Sequence, residues 1–185
     1  GAGKDTFQGL YADLMNNGTD RSTFDGGDGS DTLKLEDTGA ITMSDNHFLG
    51  TSNMEKMHVV ATSAGDVAIT TGLAFNTAFS SGVTFTTGDL ANDDSFKLDA
   101  VASTVDMSVT LTATALLGDN AAADDVTVIT GSGDDVIDAQ LTAFVSAADG
   151  GSVVISSGAG DDTITLNVGA TLAYNTNTQV ITITG

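Results

Sequence analysis

Val, Ile and Leu alternate with Thr along most of this chain. The pattern is clearest at Val67-Ala68-Ile69-Thr70, Val83-Thr84-Phe85-Thr86, Val109-Thr110-Leu111-Thr112, Val126-Thr127-Val128-Ile129, Ile164-Thr165-Leu166 and Val180-Ile181-Thr182-Ile183-Thr184. Period-two alternation of β-branched residues, bounded by Gly, Asn and Asp, predicts strands with one buried and one solvated face. Roughly ten such strands are expected, separated by turns. Helical periodicity is scarce. Phe7, Leu10, Tyr11 and Leu14 fall on one helical face and predict a short helix over residues 7–16, with a weaker candidate over residues 138–148. The reading is an all-β protein.

The turns between strands repeat. A glycine-rich turn, an Asp and then an alternating strand occur at Gly1-Ala2-Gly3-Lys4-Asp5, Gly26-Gly27-Asp28-Gly29-Ser30-Asp31, Gly131-Ser132-Gly133-Asp134-Asp135 and Gly158-Ala159-Gly160-Asp161-Asp162. Two degenerate copies lack the glycines, around Asp93-Asp94 and Asp124-Asp125. Asp5 and Asp31 are 26 residues apart, and Asp135 and Asp162 are 27 apart. A unit of that length holds two or three short strands with their turns, which is one coil of a β-solenoid. Residues 1–56 are read as an N-terminal part with such turns, a short helix and a loop. Residues 57–185 are read as the Thr-rich solenoid, the two forming one continuous domain. Because Gly1 opens inside a repeat, the chain is expected to be a fragment of a longer one.

Charge sharpens the picture. Twenty-five acidic residues face five basic ones, a net charge of -20. A polyanionic partner needs a basic footprint, so nucleic acid and anionic membrane surfaces are excluded as partners. The acid is almost entirely Asp, with Glu only at Glu36 and Glu55. Asp is the acid of turns and of cation ligation, whereas Glu serves helices. With no Cys and no Pro, disulfides cannot tie the loops. No apolar run is long enough to insert into a bilayer.

A glycine-rich turn followed by Asp suits calcium. Glycines adopt the positive-φ conformations that aim successive carbonyls inward, and the carboxylate adds charge and oxygens. Calcium takes about 6–8 oxygens, so two stacked turns would complete one shell and the ion would staple neighbouring coils. The candidate ligands are Gly1, Gly3, Asp5, Gly26, Asp28, Gly29, Asp31, Asp93, Asp94, Asp124, Asp125, Gly131, Gly133, Asp134, Asp135, Gly158, Gly160, Asp161 and Asp162.

These turns resemble the RTX repeat, Gly-Gly-x-Gly-x-Asp-x-apolar-x. The stretch Asp31-Thr32-Leu33-Lys34-Leu35-Glu36-Asp37, followed by Asn53-Met54-Glu55-Lys56-Met57-His58-Val59, resembles bacterial surface-layer and large adhesin proteins. The resemblance implies a β-solenoid (parallel β-helix or β-roll) with calcium turns, type I secretion, and a location at the bacterial cell surface. Its partners would be copies of itself in a lattice or filament, or a cell-surface polysaccharide. A calcium-dependent adhesin domain and the calcium-binding accessory module of a polysaccharide lyase or epimerase are the alternatives.

No catalytic pattern emerges, and the chain is read as a non-enzyme. His47 and His58 have no zinc-type spacing, and Ser and Thr have no partner His in a recognisable arrangement. A glycosidase carboxylate pair would want aromatic platforms, yet there are eight Phe, two Tyr and no Trp. Glu55 beside Lys56 is read as a solvent-exposed strand pair.

Overall fold

The alternation becomes a parallel β-solenoid. The computed structural model describes residues 1–14, 22–61, 65–89, 95–112, 125–141, 152–168 and 180–185. In chain order the first elements are β1 (Ala2–Gly3), β2 (Thr6–Leu10), α1 (Tyr11–Leu14), β3 (Phe24–Asp25), β4 (Asp28–Gly29), β5 (Thr32–Asp37) and β6 (Ile41–Met43). A 3-10 turn at Asp45–Phe48 leads to β7 (Thr51–Ser52), β8 (Lys56–Ala61), β9 (Val67–Thr70), α2 (Leu73–Ala78), β10 (Val83–Asp89) and β11 (Phe96–Asp99). The remainder is β12 (Met107–Thr112), β13 (Val126–Ile129), β14 (Val136–Leu141), β15 (Ser152–Ser156), β16 (Thr163–Val168) and β17 (Val180–Thr184).

Every pairing among these strands is parallel. A seven-stranded sheet runs β2-β5-β8-β10-β12-β14-β16, and a six-stranded sheet runs β6-β9-β11-β13-β15-β17. The chain passes from one sheet to the other and back, so each coil adds one strand to each. Registered residues lie 23 to 30 positions apart, from Asp89 with Thr112, past a register shift, to Phe96 with Val126. Two minor ladders, β1 with β4 and β3 with β7, close the corners of the first coils.

Inward positions stack into columns. Phe7, Leu33, Met57, Phe85, Val109, Ile137 and Ile164 form one column through the large sheet. Ile41, Val67, Phe96, Val126 and Val153 form another through the smaller sheet. The central members are fully buried, while Phe7 and Ile164 at the ends are only partly covered. Burying such side chains against their counterparts is the main favourable term, worth about 1.5–3 kcal/mol for each.

The structure changes two sequence expectations about helices over the residues it describes. Residues 6–10 are strand, and among the described residues the helix here is Tyr11–Leu14. Thr6 and Gly9 are poor helix formers, and pairing with β5 engages the backbone groups on one side of the segment. Residues 138–141 belong to β14, where Ile137, Ala139 and Leu141 alternate inward; residues 142–150 lie outside the described ones. Helix appears instead at Leu73–Ala78, where Ala74, Phe75 and Ala78 are buried. The described strands number seventeen rather than roughly ten; four of them, β1, β3, β4 and β7, are two-residue corner strands too short to leave a periodic trace.

Candidate functional site

Four glycine-rich turns are scattered along the chain and form two stacked pairs in space. Residues 1–5 lie on residues 27–31: Asp28 N–H donates to Gly1 O at 3.0 Å, Ser30 N–H to Gly3 O at 3.1 Å and Thr32 N–H to Asp5 O at 2.9 Å. Residues 131–135 lie on residues 158–162, with Ala159 N–H donating to Gly131 O at 2.9 Å and Thr163 N–H to Asp135 O at 2.8 Å. Glycine is required at the seams. Gly29 (φ 147°) and Gly160 (φ 142°) adopt the same conformation, and a Cβ on either would fall 1.5 Å from Gly3 O or 2.2 Å from Gly133 O.

The carboxylates form a column along this corner, read through register as Asp5, Asp31, Glu55, Val83, Met107, Asp135 and Asp162. Each acid after Asp5 accepts a backbone N–H from the preceding coil. Asp31 Oδ1 accepts from Asp5 at 2.6 Å, and Glu55 Oε2 from Asp31 at 2.7 Å. Asp135 Oδ1 accepts from Met107 at 2.8 Å, and Asp162 Oδ1 from Asp135 at 2.9 Å. One residue earlier the direction reverses. Asp106 Oδ1 accepts from Asp134 N–H, and Asp134 Oδ1 from Asp161 N–H, both at 2.9 Å. The Asp134-Asp135 pair therefore grips the coil on each side of it.

Glu55 thus serves as an inter-coil acceptor, not as the strand-surface partner of Lys56 that its sequence context suggested. Asp45, Asp66 and Asp106 have the same kind of role and were not candidates. Asp66 Oδ1 accepts from Ser95 N–H at 2.9 Å, and Asp45 accepts from Ala74 and Phe75 N–H at 3.0 and 2.9 Å. The recurrence of Asp one coil-length before a strand was their signal, and it is visible only once the coil length is known.

Not all candidates converge. Asp125 stands at the other corner, ahead of β13, where Oδ1 accepts from Ser152 N–H at 3.0 Å and its hydroxyl at 2.7 Å. Asp93, Asp94 and Asp124 lie outside the described residues. Asp28 and Asp134 are exposed, whereas Asp31 and Asp135 are completely buried. His47 and His58 stay apart from the turns: Ser44 N–H donates to His47 Nδ1 at 3.0 Å, and His58 Nδ1 lies 2.7 Å from Thr86 Oγ1. Among the described residues, no three acidic or histidine side chains gather in the manner of a metal cluster.

Asp31 Oδ2 and Asp135 Oδ2 are buried and have no hydrogen-bond partner. Beside Asp135 stands Thr130, whose hydroxyl donates to Ser157 O at 2.9 Å. Burial raises the Asp135 pKa, outweighing its hydrogen bonds, because the charged form is poorly solvated there. At Asp31, Oδ2 and Asn53 O both border the space that a Cβ on Gly26 would fill, at 2.6 and 2.1 Å from it. An orphaned carboxylate oxygen beside a backbone carbonyl, with glycine leaving the room, is a donor set that suits a hard cation. At Asp31 the chain thus offers one carboxylate and a main-chain oxygen, and at Asp135 one buried carboxylate oxygen.

A shallow cleft of about 270 Å³ opens where Val83 and Met107 interrupt the acidic column, and Glu55, Asp106 and Asp134 border it with Ser81, Thr84 and Ser108. No family model, curated protein or solved structure matches the chain.

Proposed function

We propose that this chain is a calcium-stapled structural segment of an extracellular bacterial surface protein, which assembles with copies of itself into a layer or filament. The observation that carries the reading is the buried, partnerless oxygen of Asp31 and of Asp135, each in a glycine-rich turn whose carboxylate reaches back to the coil before it. A cation there would replace the missing donor, and it would bind the folded chain alone. Its binding energy would then become folding energy. The repeat motif's resemblance to RTX turns, the absence of Cys and the net charge of -20 support the same reading. Type I secretion and a cell-surface location belong with it, as does the lack of an enzymatic role.

Residues Asp31 and Asp135 would be the principal side-chain ligands, with Asp5, Asp134, Asp161 and Asp162 positioning the turns around them. Calcium supplies no chemistry here beyond charge neutralisation and cross-linking. The test is circular dichroism and thermal melting in excess chelator and in millimolar calcium, the range of extracellular calcium modules (roughly 10⁻⁴–10⁻³ M). The expected result is a cooperative gain in strand signal and melting temperature on adding calcium. Light scattering of the full-length protein should then rise as ordered arrays form. A spectrum and melting point indifferent to chelator would overturn the reading.

The cleft bordered by Glu55, Asp106 and Asp134 favours a second reading, a calcium-dependent adhesin or accessory module that binds polysaccharide through carboxylates and hydroxyls. Binding of a soluble surface glycan, lost in Glu55→Gln, would move the assignment there.

A further inference from the structure

One corner of the solenoid departs from the Asp and glycine chemistry of the rest. On three successive coils, the segments that leave β6, β9 and β11 carry Leu49, Leu73 and Val101, which are 43 %, 81 % and 69 % exposed. These are half of the large hydrophobic residues exposed among the described positions. Leu49 and Leu73 line a cavity of about 300 Å³ between the 3-10 turn and α2, with Phe48, Gly50, Ala74 and Thr77 and with Asp45 and Thr51, and Val101 follows on the next coil. Clustered apolar exposure of this kind, with polar residues around it, marks an interaction site rather than scattered surface leucines.

The strip is rigidly built. Beneath it, Phe48, Phe75 and Phe79 pack edge-on and tilted, with centroids 5.0, 4.8 and 6.2 Å apart. Asp45 ties α2 back to the 3-10 turn through two backbone N–H groups. Asn76 ties α2 forward to the next coil through Ser103 and Thr104. A preformed apolar pocket on a fixed frame loses little entropy when a side chain enters it.

Charge identifies the occupant. Asp45 lines the pocket, and exposed Asp25 stands one ladder position from Thr51 at its edge. Asn53 Nδ2 and the Ser52 hydroxyl donate to the Asp25 carboxylate at 2.7 and 3.3 Å and fix it at this edge. The 3-10 turn, β3, β7, α2 and the 100–104 segment contain no Lys or Arg; their one titratable base is His47, whose Nε2 faces the Tyr11 hydroxyl at 3.4 Å. A second copy of this chain brings 25 acidic residues against five basic ones, which repels it from such a rim. Three side chains also cover far less than the roughly 800 Å² per partner that a stable dimer buries.

We propose that the Leu49–Leu73–Val101 strip is a docking groove for a short basic segment of another protein, one that inserts a leucine-sized side chain between the 3-10 turn and α2 and sets flanking lysines or arginines against Asp25 and Asp45. The apolar anchor supplies retention and the charges supply selectivity and encounter rate.

The groove can be probed with the full chain in calcium and three fluorescein-labelled seven-residue peptides: alternating lysine and leucine, alternating lysine and serine, and alternating glutamate and leucine. Fluorescence anisotropy should show the lysine–leucine peptide binding at least tenfold more tightly than either other peptide. Leu73→Ser should weaken it at least fivefold, while Val136→Ser, an exposed position on β14, should leave it unchanged. Leu73 is mostly exposed, so the substitution leaves the core intact, and circular dichroism checks this. Binding by the lysine–serine peptide within tenfold of the lysine–leucine peptide would reduce the attraction to bulk charge and overturn the proposal. A Leu73→Ser effect under fivefold would also overturn it. So would a protein dimer in sedimentation equilibrium that Leu73→Ser abolishes, since the occupant would then be a second copy. None of these outcomes bears on whether calcium is required for folding.

Discussion

Asp135 carries two demands at once. One oxygen takes the Met107 N–H at 2.8 Å, and the other is buried beside a hydroxyl already committed elsewhere. Without a cation, burial raises its pKa above the ordinary aspartate value of 3.8. Folding then favours the protonated form. Its contribution to stability is present at low pH and is lost as pH rises from about 3.8 through the raised value. In chelator, the stability of the natural protein relative to Asp135→Asn should fall as pH climbs through that window, measured by urea unfolding. A relative stability that rises with pH would contradict the assignment. In calcium the slope should reverse, because the ion takes the place of the proton. A second measurement separates ligands from clips. Alanine at Asp31 or Asp135 should weaken calcium binding at least tenfold by calorimetry. Alanine at Asp45 or Asp66, which cap backbone N–H groups, should cost about 1–3 kcal/mol of stability with calcium affinity unchanged.

At the scale of elements, the strands were legible because Thr alternates with Val and Ile, and the turns because glycine and Asp recur. The coil length followed from the pairs Asp5 with Asp31 and Asp135 with Asp162, which are true register partners in the solenoid. What escaped was everything that depends on neighbouring coils. Glu55 gives no local hint that it caps Asp31, because the two are 24 residues apart. The strand at Thr6–Leu10 was hidden behind a helical spacing of Phe7, Leu10, Tyr11 and Leu14, and pairing with β5 overrode that spacing. Helix α2 is six residues long, too short for its period to register. Side-chain orphans such as Asp31 Oδ2 cannot be read from a sequence at all. The turn glycines carry the clearest test at this scale. Gly29→Ala meets both a φ of 147° and the Gly3 carbonyl, and should destabilise by about 1–3 kcal/mol or more in thermal melts. Gly39→Ala, in open space and without a positive φ, should stay within about 0.5 kcal/mol.

The whole molecule is close to one-dimensional, since each coil touches chiefly the coils on either side of it. Stability in such stacks is a sum of coil and seam contributions, and opening proceeds from the ends. Met57 and Val59 of β8, Phe85 of β10 and Val109 and Leu111 of β12 are buried, whereas the inward residues of β2 and β16 are only partly so. Native-state hydrogen exchange should therefore show slowest exchange in β8, β10 and β12, with protection declining toward β2 and β16. Uniform protection along the rod would mean a single cooperative unit instead. The bulk charge acts on the same scale. With -20 spread along a thin rod, lowering ionic strength raises self-repulsion, and a bound divalent ion at either turn pair offsets part of it.

The reciprocal grip of Asp134 and Asp135 has a consequence for how such a rod can lengthen. Gly133 and Gly160 occupy matching places on adjacent coils, as do Asp134 and Asp161. Copying residues 134–160 in tandem would create the junction Gly160-Asp134, the same dipeptide as Gly133-Asp134 and Gly160-Asp161. The added coil would arrive with an acceptor for the coil before it and one for the coil after it, so both new seams would be complete. Genetic duplication in units of one coil should therefore be nearly silent for folding, while a duplication of any other length would put the added segment out of register and leave backbone N–H groups stranded at the seam. The length of the rod is free to drift by whole coils, and only by whole coils.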